Sequence, residues 1–133
     1  MYLEAPIIRT GGTIMTMKIN LNDYERTAQP NFRGGKGEYV SRMLNDGTNK
    51  VIWGMLAPGH SIGMHTHETN SETMFILTGK GKMHFPDGTY EDVAPGDIFY
   101  CPHGGTHALE NTGDEDLTFH AVVPEHGGVA SST

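Results

Sequence analysis

Turns interrupt this sequence at short intervals along its whole length, and their spacing limits the fold more than any other feature does. Eighteen glycines and seven prolines are spread over 133 residues instead of being gathered in one linker. Asp46-Gly47 and two Ala-Pro-Gly turns at 57–59 and 94–96 separate short runs rich in Val, Ile, Thr, Tyr and Phe. Proline presets φ and glycine allows positive φ, so these sites favour reverse turns between strands. About ten such strands predict an all-β sandwich or barrel.

The rest of the chain offers no competing helical pattern, apart from one short turn at 21–26. The length suits a single domain with its own core. We expect residues 1–37 to form an N-terminal extension that pairs with the barrel or with a partner chain. Residues 38–124 are predicted to form the barrel, and residues 125–133 a disordered tail. The glycine-rich segment 33–37 lacks the Lys-Ser/Thr pair of a phosphate loop, and we interpret it as a flexible approach to the first barrel strand.

Charge and composition argue against several classes of partner. Nine Lys and Arg against sixteen Asp and Glu give a net charge of −7, which disfavours a nucleic-acid partner. No apolar run approaches the roughly 18 residues that a membrane helix needs, so no membrane partner is expected. Glu4 and Arg9 interrupt the N-terminal apolar stretch, which therefore lacks the core of a secretory signal. Cys101 is the single cysteine, so no intrachain disulfide can form, and a cytoplasmic location is the simplest expectation.

Three histidines and one glutamate carry the chemical signal of the sequence. His65 and His67 are two apart on a predicted strand, so both imidazoles leave the same face. Glu72 opens the next strand after a short turn, and His107 begins another strand forty residues after His67. A His-x-His pair alone is a weak signal, but three imidazoles with a carboxylate form a mixed N/O set for a divalent transition metal. In an octahedral shell these four ligands leave two neighbouring positions open for a small molecule.

The two glycine-bounded segments that hold these residues resemble the two sequence motifs of the cupin superfamily. Residues 59–79 are similar to the first motif and residues 96–111 to the second. The resemblance implies a double-stranded β-helix, or jelly-roll barrel, and one metal ion per chain held by His65, His67, Glu72 and His107. Mn, Fe, Ni, Co and Zn all suit such a donor set. The resemblance implies no particular reaction, because one fold supports many functions. The second motif matches at five positions, Gly96, Pro102, Gly104, His107 and Asn111.

Three further residues are candidates for substrate binding. Met74 has the strand parity of the glutamate ligand and is expected to point into the barrel. Trp53 lies on an apolar strand face that is either plain core or a pocket wall. Arg42 lies in the middle of a strand, where it either clamps a substrate carboxylate or faces solvent. No catalytic acid or base is assigned, since His84 and His120 lie on strands without a predicted partner.

These observations lead to a metal-dependent enzyme as the leading hypothesis. Its substrate is expected to be a small oxygen-rich molecule, such as a hydroxy acid, a dicarboxylate or an enediol, and its chemistry that of a dioxygenase, decarboxylase or isomerase. The alternative is a non-catalytic module that binds a metal with a small molecule, or a sugar. Oxalate-decarboxylase-like chemistry calls for an acidic lid residue, and the sequence identifies none.

A homodimer is the expected assembly. The runs at 6–10 and 13–17 are apolar and β-prone, and they lie outside both motifs. Sheet edges pair readily with such a strand from a second copy of the chain.

Overall fold

The computed structural model describes residues 9–127, and within that range the chain forms twelve strands, two 3-10 turns and no α-helix. The 3-10 turns span Leu21–Asp23 and Phe32–Gly34. No helix in this range is long and apolar enough to cross a membrane. The strands are β1 (Arg9–Thr10), β2 (Thr13–Ile14), β3 (Thr27–Pro30), β4 (Glu38–Asn45), β5 (Asn49–Leu56), β6 (Ser61–Thr66), β7 (Glu72–Thr78), β8 (Gly81–His84), β9 (Tyr90–Val93), β10 (Ile98–Cys101), β11 (Thr106–Asn111) and β12 (Leu117–Pro124).

Two antiparallel sheets enclose the core. The larger sheet has six strands in the order β10-β7-β12-β5-β4-β3, and the smaller has four in the order β6-β11-β8-β9. Consecutive strands β6 and β7 lie in different sheets, and β11 and β12 likewise, so the chain winds between the two sheets as a jelly roll does. The prediction of an all-β double-stranded β-helix is confirmed.

The core consists of side chains that point between the sheets, and β12 illustrates why. Alternate residues of this strand are buried, while His120 and Val122 between them are exposed. Period-two burial means that one face of the strand packs and the other does not. On the adjacent β5, Gly54 makes room for the ring of Phe119, because a Cβ there would overlap that ring. The buried residues of β12 are Leu117, Phe119, Ala121 and Val123.

The N-terminal segment adds to the barrel at two places. Strand β3 pairs with β4 and forms one edge of the six-stranded sheet, and the turn at Phe32–Gly34 packs on β6. Strands β1 and β2 pair with each other as a short hairpin. Residues 1–8 lie outside the described range, and with them part of the run at 6–10 on which the expectation of a partner strand depends.

The expected disordered tail begins with residues that make regular contacts. The backbone N–H of Glu125 donates to Thr48, and that of His126 donates to Thr69. Glu125 also forms an isolated β-bridge with Asn70. Backbone pairing therefore holds residues 125 and 126 in the structure, and small polar composition does not reveal such pairing. Residues 128–133 of the predicted tail lie outside the described range.

Candidate metal centre

The structure brings the four predicted ligands together inside the barrel. His65 lies near the end of β6, and it is the direct cross-strand partner of His107 on β11. His67 follows one residue after β6, and Glu72 begins β7 in the opposite sheet. One donor atom from each residue lies within 4.8 Å of all the others. We call this set the ligand cluster.

The spacing inside the ligand cluster fits a small divalent ion. The Nε2 atoms of His67 and His107 are 3.1 Å apart. Oε1 of Glu72 lies 3.4 Å from Nε2 of His67 and 3.2 Å from Nε2 of His107. Neighbouring ligands of an octahedral ion, each about 2.1 Å from it, are about 3.0 Å apart. Three nitrogens and one carboxylate oxygen at this spacing suit a transition metal, because imidazole and carboxylate together match its preferences.

Hydrogen bonds outside the cluster orient two of the imidazoles. Nδ1 of His65 donates to the carbonyl oxygen of Gly63 at 2.8 Å, and Nδ1 of His67 donates to Oδ1 of Asn70 at 2.6 Å. Both acceptors are carbonyl-type oxygens, so Nδ1 carries a proton in each ring and Nε2 faces the cluster. In the metal-free protein a second proton, on Nε2 of His67, donates to Glu72, and loss of that proton exposes the lone pair that a metal would use. Asn70 is held in turn, since its Nδ2 donates to Oε2 of Glu125 at 3.5 Å.

Electrostatics inside the cluster favour a carboxylate anion. Burial opposes ionisation of Glu72, but hydrogen bonds from His107 and His67 outweigh it and hold the pKa of its carboxyl at about 2. Burial also lowers the pKa of His65, which favours the neutral imidazole that a metal requires. For His67 the same burial effect is outweighed by hydrogen bonds to Glu72 and Asn70, and its pKa is raised, while the charge of Arg33 acts in the opposite direction.

A cavity of about 420 Å³ opens from the ligand cluster. Apolar side chains of Ile52 and Met74 line part of its wall. The charged residues on the wall besides Glu72 are Glu25, Arg33, Lys50 and Glu68. A cavity of this size suits a small molecule, and its lining, polar over the larger part and apolar around Ile52 and Met74, suits one that is rich in oxygen.

The candidates for substrate binding separate into one residue inside the cavity and two outside it. Met74 is buried and lines the cavity. Arg42 and Trp53 are cross-strand partners and do not line it. Residues 39, 41 and 43 of β4 line the cavity, so strand alternation places Arg42 on the outer face. There Nη1 of Arg42 donates to the backbone oxygens at 22 and 24, at 3.3 and 2.8 Å. The proposed carboxylate clamp is therefore corrected for Arg42.

His84 and His120, considered as proton carriers, lie away from the cavity. Nε2 of His84 contacts Oε1 of Glu110 at 2.8 Å on the four-stranded sheet. His120 is exposed and lies between Trp53 and Phe75 in the sheet register. Neither histidine lines the cavity, so neither is placed to exchange a proton with a ligand there.

Sequence reasoning missed three residues around this site. Arg33 was assigned to a flexible approach, Asn70 to a turn, and Glu125 to a tail. Arg33 lines the cavity, and the other two form the hydrogen-bonded support of His67. The sequence offered a signal for Asn70 alone, since it is a polar residue three positions after the ligand His67.

Comparison with known proteins agrees with the fold. The family model of the cupin domain matches residues 52–123, more than half of the chain. An oxalate-binding protein of Thermotoga maritima is 36% identical over 118 residues, which cover 84% of this chain and 95% of that protein. The crystal structure of a predicted oxalate decarboxylase from Thermotoga maritima superposes with a TM-score of 0.74 and 32% identity, covering 82% of this chain and 99% of that one.

A longer relative matches in one part only. An oxalate decarboxylase of Bacillus subtilis is 34% identical over 94 residues, which cover 65% of this chain and 24% of that protein. The barrel topology, the ligand cluster and the cupin-domain match agree with one another. The chain belongs to the cupin superfamily.

Proposed function

We propose that this protein binds one divalent transition metal through the ligand cluster and holds a small dicarboxylate of the oxalate type beside it in the cavity. The observation that carries the proposal is the convergence of three imidazoles and one carboxylate on a cavity of about 420 Å³. The oxalate-binding relative, similar over 95% of its length, supports the class of ligand. When bound, the metal would act as a Lewis acid, which accepts two adjacent oxygens of the ligand and polarises them.

The residues of the chain have distinct roles in this proposal. Glu72 supplies one negative charge, and its low pKa keeps that charge present over the working pH range. Ile52 and Met74 limit the size of the ligand and exclude water from one side of the cavity. Arg33 and Lys50 balance the charges of Glu25 and Glu68 on the wall. A divalent cation beside Glu72 would then make the lining positive as a whole, which favours an anionic ligand over a neutral sugar.

Turnover is the second candidate function, and two carboxyl groups favour it. Glu25 and Glu68 line the cavity, where each is able to exchange a proton with a bound substrate. Glu68 lies in the loop between the last histidine of the first motif and β7, next to the ligand cluster. In this version the protein is a metal-dependent decarboxylase, dioxygenase or isomerase. In the alternative version it binds the metal and its ligand without converting either.

One experiment tests binding and turnover together. The protein is loaded in turn with Mn, Fe, Ni, Co and Zn, and oxalate, hydroxy acids and sugar acids are titrated by calorimetry. We expect oxalate to bind only in the presence of metal. Absence of dicarboxylate binding by fully loaded protein contradicts the proposal. Mass spectrometry of the same mixtures, with and without oxygen, detects any product.

A matched pair of variants then assigns turnover. Glu68→Gln is expected to lose product formation while it keeps oxalate binding, because only the proton donor is removed. Glu38→Gln removes an exposed carboxylate outside the cavity and is the control. Oxalate binding without product under every condition contradicts the enzyme version and leaves the binding version.

A homodimer is the proposed assembly. Ile98 and Tyr100 on β10 are 60% and 66% exposed, and Phe75, the cross-strand partner of Ile98, is 39% exposed. Ile14 in β2 is 62% exposed. Clustered exposed apolar side chains are typical of protein–protein interfaces. Light scattering is expected to give about twice the chain mass of 14.5 kDa, and a mass near 14.5 kDa contradicts the dimer.

A further inference from the structure

The turn before the first barrel strand holds an arginine in an unusual backbone conformation. Arg33 has φ 56° and Asn31 has φ 51°, and these are the two non-glycine residues with positive φ among residues 9–127. Side chains other than glycine rarely adopt this left-handed region. Such a conformation persists only where the surrounding structure enforces it, and it is enriched at ligand sites.

Contacts with the ligand-bearing strand β6 enforce this conformation. Gly63 lies so close to the backbone of Arg33 that a Cβ on Gly63 would overlap the carbonyl oxygen of Arg33. Gly35 meets the backbone of Ser61 in the same way. Lys36 and Ser61 are joined by two hydrogen bonds of 2.9 Å, from the backbone N–H of Lys36 to Oγ of Ser61 and from the N–H of Ser61 to the carbonyl of Lys36. The turn is therefore fixed to the strand that carries His65.

Arg33 is an exposed residue of the cavity lining, and its side chain has no polar partner among residues 9–127. Its guanidinium lies 5.4 Å from the ring centroid of Phe32, and its charge acts on His67. Within the part of the chain that the structure describes, it makes no hydrogen bond and no ion pair. Lys50, the other cation on the wall, acts electrostatically on Glu125. The five N–H donors of Arg33 are thus available to a ligand.

We infer that Arg33 is a specificity-determining residue, whose guanidinium binds the carboxylate oxygens of the ligand that face away from the cluster. This inference rests on the proposed function, because it needs a dicarboxylate in the cavity. The planar fork of the guanidinium matches two carboxylate oxygens, which an oxalate presents on its far side and a monocarboxylate such as glycolate does not. Arg33 therefore selects dicarboxylates over hydroxy acids of the same size.

The test compares two variants that each remove one positive charge from the glycine-rich segment 33–37. Arg33→Asn keeps the backbone conformation, because asparagine tolerates positive φ. Lys36→Asn is the control, since Lys36 is exposed and does not line the cavity. Both are loaded with Mn, and oxalate and glycolate are titrated by calorimetry. We expect Arg33→Asn to lower oxalate affinity roughly tenfold, to affect glycolate less, and to retain its metal.

Four outcomes overturn the inference, and they differ from one another. Unchanged oxalate affinity in Arg33→Asn overturns the role of Arg33 alone, as does an equal loss in Lys36→Asn, which reports only net charge. Loaded wild-type protein that binds no oxalate overturns the proposed function and this inference together. If Arg33→Asn fails to fold, Arg33→Lys replaces it, and a ratio of oxalate to glycolate affinity equal to that of the wild type then contradicts recognition by the guanidinium fork.

Discussion

Histidine–glutamate contacts occur at two places in this barrel. In the cavity, Glu72 lies 3.2 Å from His107 and 3.4 Å from His67, and all three side chains are at most 12% exposed. On the four-stranded sheet, His84 lies 2.8 Å from Glu110, and these side chains are 35% and 39% exposed. The shorter contact is the one at the surface. Distance alone therefore does not distinguish a metal centre from an ordinary ion pair.

The ligand cluster differs from the surface pair of His84 and Glu110 in its burial and in the number of side chains that meet there. The surface pair joins one imidazole to one carboxylate across neighbouring strands β8 and β11, in reach of water. Such exposed pairs stabilise a protein by about 0–1 kcal/mol. In the cavity, three imidazoles meet one carboxylate whose charge is compensated only by its neighbours. A buried charge that loses its partners destabilises the fold far more, and a bound cation offsets that effect.

Removing one ligand of the cluster has the largest expected effect. We predict that His67→Ala loses the metal, whereas His84→Ala retains about one ion per chain, because only the first residue belongs to the ligand cluster. Elemental analysis after reconstitution and desalting measures the difference.

Metal binding should also stabilise the folded wild type. Free metal at a hundredfold excess over its Kd is expected to raise the free energy of unfolding by roughly 2.7 kcal/mol, and removal of the metal is expected to lower it by the same amount. A chelator that leaves the melting temperature unchanged contradicts this linkage.

The pH dependence of the metal-free protein separates the buried carboxylate from exposed ones. The pKa of Glu72 is about 2 in the folded protein against 4.5 for an unperturbed glutamate. Its stabilising contribution is thus complete above pH 4.5 and is lost as the pH falls through 2. We predict that the wild type loses about 3 kcal/mol over this window that Glu72→Gln does not lose. Urea denaturation at several pH values measures this, and parallel profiles of the two proteins are the contradicting result.

The support behind His67 gives the next largest effect. Asn70→Ala removes the acceptor that fixes the tautomer of His67. Partners of this kind typically contribute 10- to 100-fold to metal affinity, so we expect the metal Kd to rise about tenfold or more. Asn22→Ala, which removes an exposed side chain away from the cavity, is the control. Competition with a fluorescent chelator measures both values, and equal Kd values would sink the proposed support.

The surface pair gives the smallest effect. Glu110→Gln removes the charge that His84 contacts, at a site that is more than a third exposed. We expect the free energy of unfolding to change by less than about 1 kcal/mol, with unchanged metal content. Thermal or chemical denaturation checks the first value and elemental analysis the second. Loss of metal from this variant would remove the contrast between the two places.

The sequence predicted the fold from local spacing, and it predicted the ligand cluster from the His-x-His pair together with His107 in the second motif. Turn residues mark the strand ends, and the His-x-His spacing places two imidazoles on one strand face. The other residues around the cluster come from distant segments of the chain that carry no such motif. Arg33 reaches the cavity because two glycines let its turn approach β6, and Glu125 reaches Asn70 across 55 residues. No local pattern reports such an approach.

The choice between the two alternatives for Arg42 could not be made from the sequence, for a different physical reason. Alternation along β4 fixes two sets of residues but does not say which set faces the cavity. The inward set is residues 39, 41 and 43, while the outer face receives partial cover from the segment at 22–24. That cover half-buries Arg42 and pairs it with backbone oxygens, so its burial reflects the N-terminal segment and not a substrate site.

Anomalous diffraction from crystals of the Mn-loaded protein tests the central claim most directly. We predict one strong peak per chain inside the barrel, about 2.1–2.2 Å from Nε2 of the three cluster histidines and from a carboxylate oxygen of Glu72. The contact between His84 and Glu110 serves as the internal control and should carry no peak. A cavity without a peak at full Mn loading, or a peak between His84 and Glu110 in its place, would contradict the assignment of the ligand cluster as the metal centre.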